Sequence, residues 1–259
     1  MSARPEWPVT FFDEDYLKIY RPQLTAERTR AEVDFIESAL ALPRGAEILD
    51  LACGLGRHAI GMAEQGYRVT GLDFNPRYLE IAAAEAAKSG SCVTWMAGDM
   101  RTLPFDRAFD GAYSYFTSFG YFSDVENEQV LAHIVRALKP AGRFLIDMAN
   151  RDRILTHSQQ RSWTQQEDGA LLMEESALDL RTSRVVSRLM LMRPQGGVEV
   201  TKEFELRVYT CAELTALFDR HGLRVKGVWG GPDRSEYSSE SRRLILLAER
   251  TLSGEGAAG

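Results

Sequence analysis

The chain has 259 residues, of which 44% are hydrophobic, so it is long enough to form one large α/β domain with a sizeable core. Its formal net charge of −6 argues against a broad surface for phosphate groups, and therefore against a nucleic-acid partner. Three scattered cysteines fit neither a zinc site nor a disulfide framework, so we expect no metal. No apolar run is long enough to span a membrane, and we expect a cytoplasmic protein.

The first 45 residues precede the first predicted strand and are rich in aromatic side chains. Tyr16 and Tyr20 are four positions apart, so in a helix their side chains would lie on one face. An amphipathic helix is predicted from about residue 26 to residue 40. Packing of the aromatic rings into the core is the alternative to a role in a binding site. The other aromatic residues of the segment are Trp7, Phe11 and Phe12.

Residues 46–150 alternate between apolar strands and amphipathic helices, a pattern typical of a mainly parallel sheet with helices on both faces. Ligands of such folds bind at the carboxyl ends of the strands. Pro76 is predicted in the first turn of a helix and Asp124 as the N-cap of another. The predicted strands are residues 46–51, 67–73, 92–97, 109–115 and 142–148, and the predicted helices are residues 56–65, 76–88 and 124–138.

The turn between the first and second predicted strands carries the most informative motif. The first strand runs to Asp50, and a turn that contains Gly54 and Gly56 leads into a helix. Glycine tolerates positive φ and, because it has no β carbon, lets a ligand approach the backbone. Asp73 ends the second strand about 20 residues later, where a carboxylate can bind the two hydroxyls of a ribose. The chain is therefore predicted to bind a cofactor that contains a nucleoside.

Two further carboxylates help to choose between cofactors, because the turn alone also fits the pattern of nicotinamide and flavin enzymes. Asp50 would repel a pyrophosphate but would favour a sulfonium or an ammonium group. Asp99 follows the third strand and could accept a hydrogen bond from an adenine amino group. These positions favour a nucleoside that carries a sulfonium, with a nicotinamide oxidoreductase as an alternative.

Four segments in this region resemble, in order, the motifs of the class I S-adenosylmethionine-dependent methyltransferases. The segments are residues 50–56, 69–76, 97–100 and 138–144, and the resemblance covers most of residues 11–150. Ala52 departs from the pattern, because the family usually has its first glycine there. The resemblance implies a Rossmann-like, doubly wound, mainly parallel sheet of seven strands that binds S-adenosylmethionine and releases S-adenosylhomocysteine.

The resemblance also implies roles for particular residues. The backbone from Gly54 to Gly56 would face the methionine and ribose portions of the cofactor, and Asp73 would bind the ribose. Residues 1–45 would form a helical lid, in which Arg28 either meets the methionine carboxylate or lies on a solvated helix face. Residues 46–150 would form the cofactor-binding core, where Phe74 and Met100 could also be plain core residues. The implied cofactor contacts are Tyr20, Asp50, Ala52, Cys53, Gly54, Gly56, Asp73, Phe74, Asp99, Met100 and Tyr115, with Asp99 and Met100 beside the adenine.

Residues 113–122, rich in aromatic and hydroxyl side chains, leave the fourth strand where the resemblance puts the methyl group. They resemble the F-S-S-x-G-[HY]-L stretch of small-molecule N-methyltransferases, particularly those acting on amino sugars, and lack the [ND]-P-P-[YF] signature of RNA and DNA amino-methyltransferases. Tyr121 is the first candidate for a catalytic residue that positions the acceptor or accepts its proton, and His157 is the second. Alternatively, Tyr121 only lines the pocket and His157 is exposed in a loop.

After residue 150 the hydrophobic pattern changes to a period of two, which is typical of antiparallel strands. We predict an antiparallel β insertion over residues 151–209 that either shapes the acceptor pocket or forms a homodimer surface. Residues 210–250 return to the α/β pattern and complete the sheet, and residues 251–259 are predicted to be a disordered tail. The predicted strands are 161–167, 171–179, 184–192, 198–209, 223–229 and 243–249, with a helix at 211–221.

These features predict an enzyme that transfers a methyl group from S-adenosylmethionine to nitrogen or oxygen of a small molecule by in-line displacement. Orientation of the reactants and exclusion of water would supply most of the acceleration. RNA and protein are the alternative acceptors. Outside the enzymes, the alternative is a catalytically silent subunit that binds S-adenosylmethionine and activates a partner.

Overall fold

The computed structural model describes residues 11–157, 161–166 and 168–251, which form two β-sheets. Helices lie on both faces of a seven-stranded sheet, and a four-stranded antiparallel sheet is inserted after the fifth strand. The predicted Rossmann-like fold with an antiparallel insertion is confirmed. Trp7 and the predicted tail beyond Thr251 lie outside the described residues.

The strands of the main sheet lie within a few residues of their predicted positions. They are β1 (Glu47–Leu51), β2 (Arg68–Asp73), β3 (Val93–Ala97), β4 (Phe109–Ser114), β5 (Leu138–Ala149), β10 (Leu223–Trp229) and β11 (Arg243–Arg250), numbered with the four strands of the insertion between β5 and β10. Their order is β10-β11-β5-β4-β1-β2-β3, and β11 runs antiparallel to both of its neighbours. The strand order reverses direction between β1 and β4, which opens a crevice for a ligand at their carboxyl ends.

Seven α-helices occur in the described ranges, and those around the main sheet bury one side against it. They are α1 (Glu14–Tyr20), α2 (Ala26–Leu40), α3 (Arg57–Glu64), α4 (Pro76–Ser89), α5 (Asp124–Ala137), α6 (Arg151–His157) and α7 (Cys211–Arg220). Successive strand residues point to opposite faces, so Ile48 packs with residues of α2 and α3, whereas Leu49 packs with residues of α5 and α7. None of these helices combines the length and the apolar character that crossing a membrane requires.

Side-chain caps fix where two of these helices begin. Pro76 occupies the first position of α4, as predicted, after the N-cap Asn75. The N-cap of α5 is Ser123: its hydroxyl accepts a hydrogen bond from the Glu126 N–H, and the Glu126 carboxylate accepts one from the Ser123 N–H. The prediction of Asp124 as N-cap was therefore wrong by one position, because the reciprocal capping box selects the serine.

The second sheet holds the N-terminal helix. Its strands are β6 (Arg161–Gln165), β7 (Leu171–Asp179), β8 (Arg184–Met192) and β9 (Val198–Arg207). Ile19 of α1 is fully buried in a cluster with Leu189 and Leu191 of β8. Lys202 of β9 forms an ion pair with Asp13, the N-cap of α1. The insertion therefore fixes α1 over the edge of the main sheet.

Candidate active site

A cavity of about 460 Å³ lies at the carboxyl ends of the main-sheet strands, against α1. Its walls come from the turn after β1, the end of β2, the loops after β3 and β4, and the N-terminal segment. The volume is in the range of small-ligand pockets. Tyr20, Gly56 and His157 are not among the residues that line it. The predicted site residues that do line it are Asp50, Ala52, Cys53, Gly54, Asp73, Phe74, Asp99, Met100, Tyr115 and Tyr121.

The turn after β1 contains three left-handed residues, with φ of 60° at Ala52, 55° at Gly54 and 73° at Gly56. A β carbon at position 54 would meet no heavy atom of the described chain within 4 Å, so this part of the backbone is open to the cavity. A β carbon at position 56 would lie 2.4 Å from Cη2 of Trp95 and 2.8 Å from Cβ of Ala82. The expected reason for Gly56 is thus corrected: its missing β carbon lets α3 pack against α4 and β3.

Asp73 connects the end of β2 to the glycine turn. Its Oδ2 accepts a hydrogen bond from the Gly54 N–H at 2.8 Å, and its Oδ1 accepts one from the Asn75 N–H at 2.9 Å. Burial raises the pKa of the Asp73 carboxyl, and these hydrogen bonds oppose the rise. The carboxylate therefore fixes the turn while its remaining lone pairs stay available in the cavity wall.

Three buried polar atoms of cavity-lining residues have no hydrogen-bond partner among the residues that the structure describes. Two of them carry the charged groups, Oδ2 of Asp50 and Nη2 of Arg57. Asp50 is 2% exposed, and burial raises its pKa to about 7. The hydroxyl of Tyr115, in the same cavity wall, is likewise unsatisfied in the described part of the chain. Buried polar groups are normally paired, so this wall fits a ligand that supplies both donors and acceptors.

A buried carboxylate on α2 organises the basic side chains beside this wall. Glu32 accepts a hydrogen bond from Nε of Arg28 at 2.9 Å, forms an ion pair with Arg57 and lies 3.0 Å from Nε2 of His58. Burial acts to raise the pKa of Glu32, but the His58 hydrogen bond and the Arg57 charge lower it to about 2. Burial lowers the pKa of His58 to about 4, so its imidazole is neutral at pH 7.

Arg57, and not Arg28, is the basic residue of this group that lines the cavity. The guanidinium of Arg28 is bound to Glu32 and is not among the groups that line the cavity, whereas that of Arg57 lines it. Nη1 of Arg57 is fixed by Glu32 and by the Thr29 hydroxyl, 3.1 Å away. The sequence did carry a signal, because Arg57 follows the glycine turn directly and begins α3.

The loop after β3 carries Asp99, whose carboxylate is already hydrogen-bonded to a neighbouring arginine. Asp99 accepts hydrogen bonds from Arg101, at 2.8 Å from its N–H, 3.0 Å from Nε and 2.6 Å from Nη2. Burial acts to raise the pKa of Asp99, but the Arg101 interactions hold it below its ordinary value. The Arg101 guanidinium lies 4.4 Å from the ring centroid of Phe122, and both residues line the cavity. Sequence reasoning named Asp99 and missed Arg101, two positions later.

Aromatic rings close the cavity on the side of the N-terminal segment. Phe12 and Tyr16 line it, and the Phe12 ring centroid lies 4.8 Å from that of Tyr16 and 5.4 Å from that of Tyr121. Tyr16 and Tyr20 share a face of α1, as predicted, with centroids 4.4 Å apart. Tyr20 packs against Tyr16 and Phe116 instead of lining the cavity. Burial raises the pKa of Tyr121, so its hydroxyl stays protonated at neutral pH.

The structure does not bring His157 to the other candidates. It ends α6, a helix that the sequence pattern did not predict, and its ring is partly exposed. Its Nε2 lies 2.9 Å from the Glu240 carboxylate and its Nδ1 lies 2.8 Å from the Thr156 hydroxyl. Nothing in this arrangement connects His157 with the cavity.

The inserted sheet packs against a residue of the cavity wall but does not itself line the cavity. No residue of 161–166 or 168–207 lines the cavity, so the insertion does not form the pocket wall itself. Tyr121 packs instead against a cluster that contains Val185 and Leu206, and its ring centroid lies 6.2 Å from that of Phe204. The sheet thus supports the aromatic wall that it does not form.

Residues 48–142 match the family model described as a methyltransferase domain. The chain is 27% identical over 212 residues to the cypemycin N-terminal methyltransferase of Streptomyces sp., covering 80% of this chain and 84% of that protein. The CcbJ methyltransferase from Streptomyces caelestis has the same fold, with a TM-score of 0.77 at 20% identity, over 86% of this chain and 90% of the other. S-adenosylmethionine-bound CalS10, an amino pentose methyltransferase from Micromonospora echinaspora, has a TM-score of 0.68 at 23% identity, over 91% and 96% of the two chains.

The doubly wound sheet, the glycine turn and the carboxylates at the strand ends define the class I methyltransferase fold. The matched domain, the relatives and the shared fold together support a class I S-adenosylmethionine-dependent methyltransferase. The chain is an enzyme of that class and uses S-adenosylmethionine, so the predicted family and cofactor are confirmed. Within the described ranges, no group of three or more His, Cys, Asp or Glu side chains could hold a metal ion.

Proposed function

We propose that this enzyme transfers a methyl group to nitrogen or oxygen of a small molecule inside the cavity under the N-terminal segment. The observation that carries the proposal is the pair formed by Asp50 Oδ2 and Arg57 Nη2, both buried in one wall and unsatisfied in the described chain. The methionine part of S-adenosylmethionine carries an ammonium and a carboxylate on one carbon, which match these two groups. A dinucleotide has no such pair of charges, and Asp50 would repel its pyrophosphate.

In this proposal Asp50 binds the ammonium of the cofactor and Arg57 binds its carboxylate. Arg57 is suited to this role because Glu32 and Thr29 already fix the other side of its guanidinium. The Tyr115 hydroxyl is a third polar group for the same end of the cofactor. These are charge-assisted hydrogen bonds in a buried wall, which are stronger than neutral ones.

The nucleoside would lie along the ends of β2 and β3. Asp73 would bind the ribose hydroxyls through the lone pairs that the backbone does not use. Phe74 and Met100 offer apolar surface to the adenine from the cavity wall. Asp99 would accept a hydrogen bond from the adenine amino group while it stays bound to Arg101.

The acceptor would occupy the part of the cavity that the aromatic rings enclose. The cavity of about 460 Å³ would hold the cofactor and leave limited space for the acceptor, which favours a small molecule. The aromatic residues Phe12, Tyr16, Phe116 and Tyr121 line the cavity and would contact its body. An amino sugar is one candidate, since residues 113–122 resemble the corresponding stretch of amino-sugar N-methyltransferases. The net charge of −6 argues against RNA as the acceptor.

The chemistry that we propose depends mainly on orientation. Bound S-adenosylmethionine supplies an electrophilic methyl group with a neutral thioether as the leaving group. The walls would hold the acceptor atom in line with that methyl group, and the aromatic rings would exclude water. Tyr121 keeps its proton at neutral pH, so it would not act as a base: its hydroxyl oxygen would accept a hydrogen bond from the N–H or O–H of the acceptor and so orient the lone pair, and the acceptor proton would pass to solvent after the transfer.

We also propose that the enzyme acts in the cytoplasm. Its three cysteines are free thiols, with Cys53 buried and Cys92 exposed. Thiols persist in reducing compartments, where disulfides are rare.

Calorimetry with S-adenosylmethionine, S-adenosylhomocysteine and NADH tests the cofactor site. We expect the first two to bind and NADH not to bind. A panel of amino sugars, small primary and secondary amines and phenols is then incubated with S-adenosylmethionine, and release of S-adenosylhomocysteine is measured. Methylation of a panel member supports the proposal. Methylation of RNA or peptides alone, or binding of cofactor without any methyl transfer, would contradict it.

A further inference from the structure

The loop that carries Tyr121 begins with two consecutive left-handed residues that are not glycine. The φ angle is 69° at Phe116 and 60° at Thr117. A positive φ is uncommon for any side chain and is an outlier for a β-branched residue such as threonine. Such conformations persist only where the surrounding structure holds them, and they cluster at functional sites.

Asp147, near the end of β5, binds the backbone of both residues. Its Oδ2 accepts a hydrogen bond from the Phe116 N–H at 2.8 Å, and its carbonyl oxygen accepts one from the Thr117 N–H at 3.0 Å. The side chain is almost completely buried, at 1% exposure. One residue of the neighbouring strand therefore fixes two successive amides of the turn.

Arg243, the first residue of β11, holds Asp147 in place from the other side. Its Nε donates to Oδ1 of Asp147 at 2.7 Å and its Nη2 donates to Oδ2 at 2.6 Å, so the ion pair has two points of contact. The same Nη2 donates to the Thr117 hydroxyl at 2.7 Å. A planar guanidinium is suited to such a fork, because its donors have fixed geometry.

We propose that Asp147 and Arg243 are positioning residues that set the acceptor wall of the cavity. Neither is among the described residues that line it, whereas Phe116, Thr117 and Tyr121 of the loop that they hold all do. This inference rests on the proposed function. The pair maintains the left-handed turn, and the turn directs the loop side chains at the acceptor.

Substitution Asp147→Asn tests the pair, because it keeps the shape of the side chain and removes the charge that Arg243 binds. Hydrogen exchange should become at least about tenfold faster at the Phe116 amide, measured in a peptide covering residues 113–122, because that amide binds the Asp147 side chain whereas the Thr117 amide binds the main-chain carbonyl. With a panel acceptor that the wild type methylates, kcat should fall about 100-fold, since a displacement of about 1 Å has that effect. Affinity for S-adenosylhomocysteine should stay within about threefold of the wild-type value.

Asp110→Asn is the matched control, because Asp110 also joins β4 to β5 through an ion pair, with Lys139 at 2.8 Å, but at the opposite end of the strands. Its kcat and its exchange at residues 113–122 should equal those of the wild type. Arg243→Lys keeps the charge without the fork and should give an intermediate loss of kcat.

Wild-type kcat in the Asp147→Asn variant, or an equal loss in Asp110→Asn, would overturn the inference. A parallel loss of kcat and cofactor affinity would overturn it too, because that indicates a general structural defect. A wild-type protein that binds no S-adenosylhomocysteine contradicts the proposed function instead, and exchange at residues 113–122 still shows whether Asp147 holds the turn.

Discussion

Asp50 and Arg57 both line the cavity, and each has one buried polar atom, Oδ2 of Asp50 and Nη2 of Arg57, without a hydrogen-bond partner within the ranges that the structure describes. Asp50 lies near the end of β1 and Arg57 begins α3, so the glycine turn between them determines their separation. Burial raises the pKa of Asp50 to about 7, and the neighbouring Tyr113 hydroxyl and the Arg57 charge oppose that rise only in part. Such a pair of opposite charges is suited to a ligand that carries both charges itself.

Substitutions Asp50→Asn and Arg57→Lys should therefore each weaken the binding of S-adenosylhomocysteine at least about tenfold, equivalent to about 1.4 kcal/mol. Asparagine has no charge for the ammonium, and lysine lacks the planar fork with which a guanidinium can bind Glu32 on one side and a ligand carboxylate on the other. Calorimetry provides the measurement. 5′-Methylthioadenosine is the control ligand, because it has the nucleoside without the amino-acid part, and its affinity should change less than about twofold. An equal loss for both ligands would mean that the substitutions damage the fold.

The raised pKa of Asp50 predicts that cofactor affinity depends on pH. Below about pH 7 the carboxyl carries a proton in the free enzyme, and that proton must leave before the group can bind an ammonium. Affinity for S-adenosylhomocysteine should therefore increase as the pH rises from about 5.5 to about 8, by at most about tenfold per pH unit below the pKa. Calorimetry across this range should give a flat profile for Asp50→Asn. The same slope in both proteins would assign the pH dependence to another group.

Much of the fold could be predicted because its signals are local. β7 and β8 have the bounds that their alternating pattern predicts, and in β8 buried residues do alternate with more exposed ones. Asp73 was identified for the same reason: a carboxylate that ends a strand after a glycine turn has a defined place in a doubly wound sheet.

The rest of the site depends on contacts between residues that are distant in the sequence. Arg57 and Arg28 both lie in the first turn of a core helix and both bind Glu32, and only the folded structure shows that Arg57, and not Arg28, lines the cavity. Asp147 and Arg243 are 96 positions apart, and no periodicity connects them. The role of Gly56 depends on Trp95, a residue of another strand.

The two glycines of the turn should respond differently to alanine. In Gly56→Ala the new β carbon would clash with the Trp95 ring, and with the positive φ this should reduce the free energy of unfolding by about 3 kcal/mol. In Gly54→Ala only the backbone conformation is unfavourable, by about 1 kcal/mol, but the methyl group would enter the cavity and weaken cofactor binding. Urea denaturation and calorimetry separate the two effects.

Adding Trp95→Phe, which removes the clashing ring atoms, should restore part of the stability of Gly56→Ala but none of the affinity of Gly54→Ala. The reverse assignment of effects would show that Gly56, not Gly54, meets the cofactor.

Tyr121 offers a test of whether a hydroxyl in the aromatic wall takes part in the reaction. Its raised pKa keeps the phenol protonated at neutral pH, so it can orient an acceptor but cannot act as a ready base. Tyr121→Phe should lower kcat about tenfold with a panel acceptor, while affinity for S-adenosylhomocysteine stays unchanged, because the ring and its packing remain. Tyr67→Phe is a matched control: its hydroxyl also makes a hydrogen bond, to the Leu42 carbonyl at 3.1 Å, but Tyr67 does not line the cavity. If Tyr121→Phe and Tyr67→Phe both retain wild-type kcat, Tyr121 is a wall residue without a chemical role, and orientation of the acceptor must come from other groups of the loop.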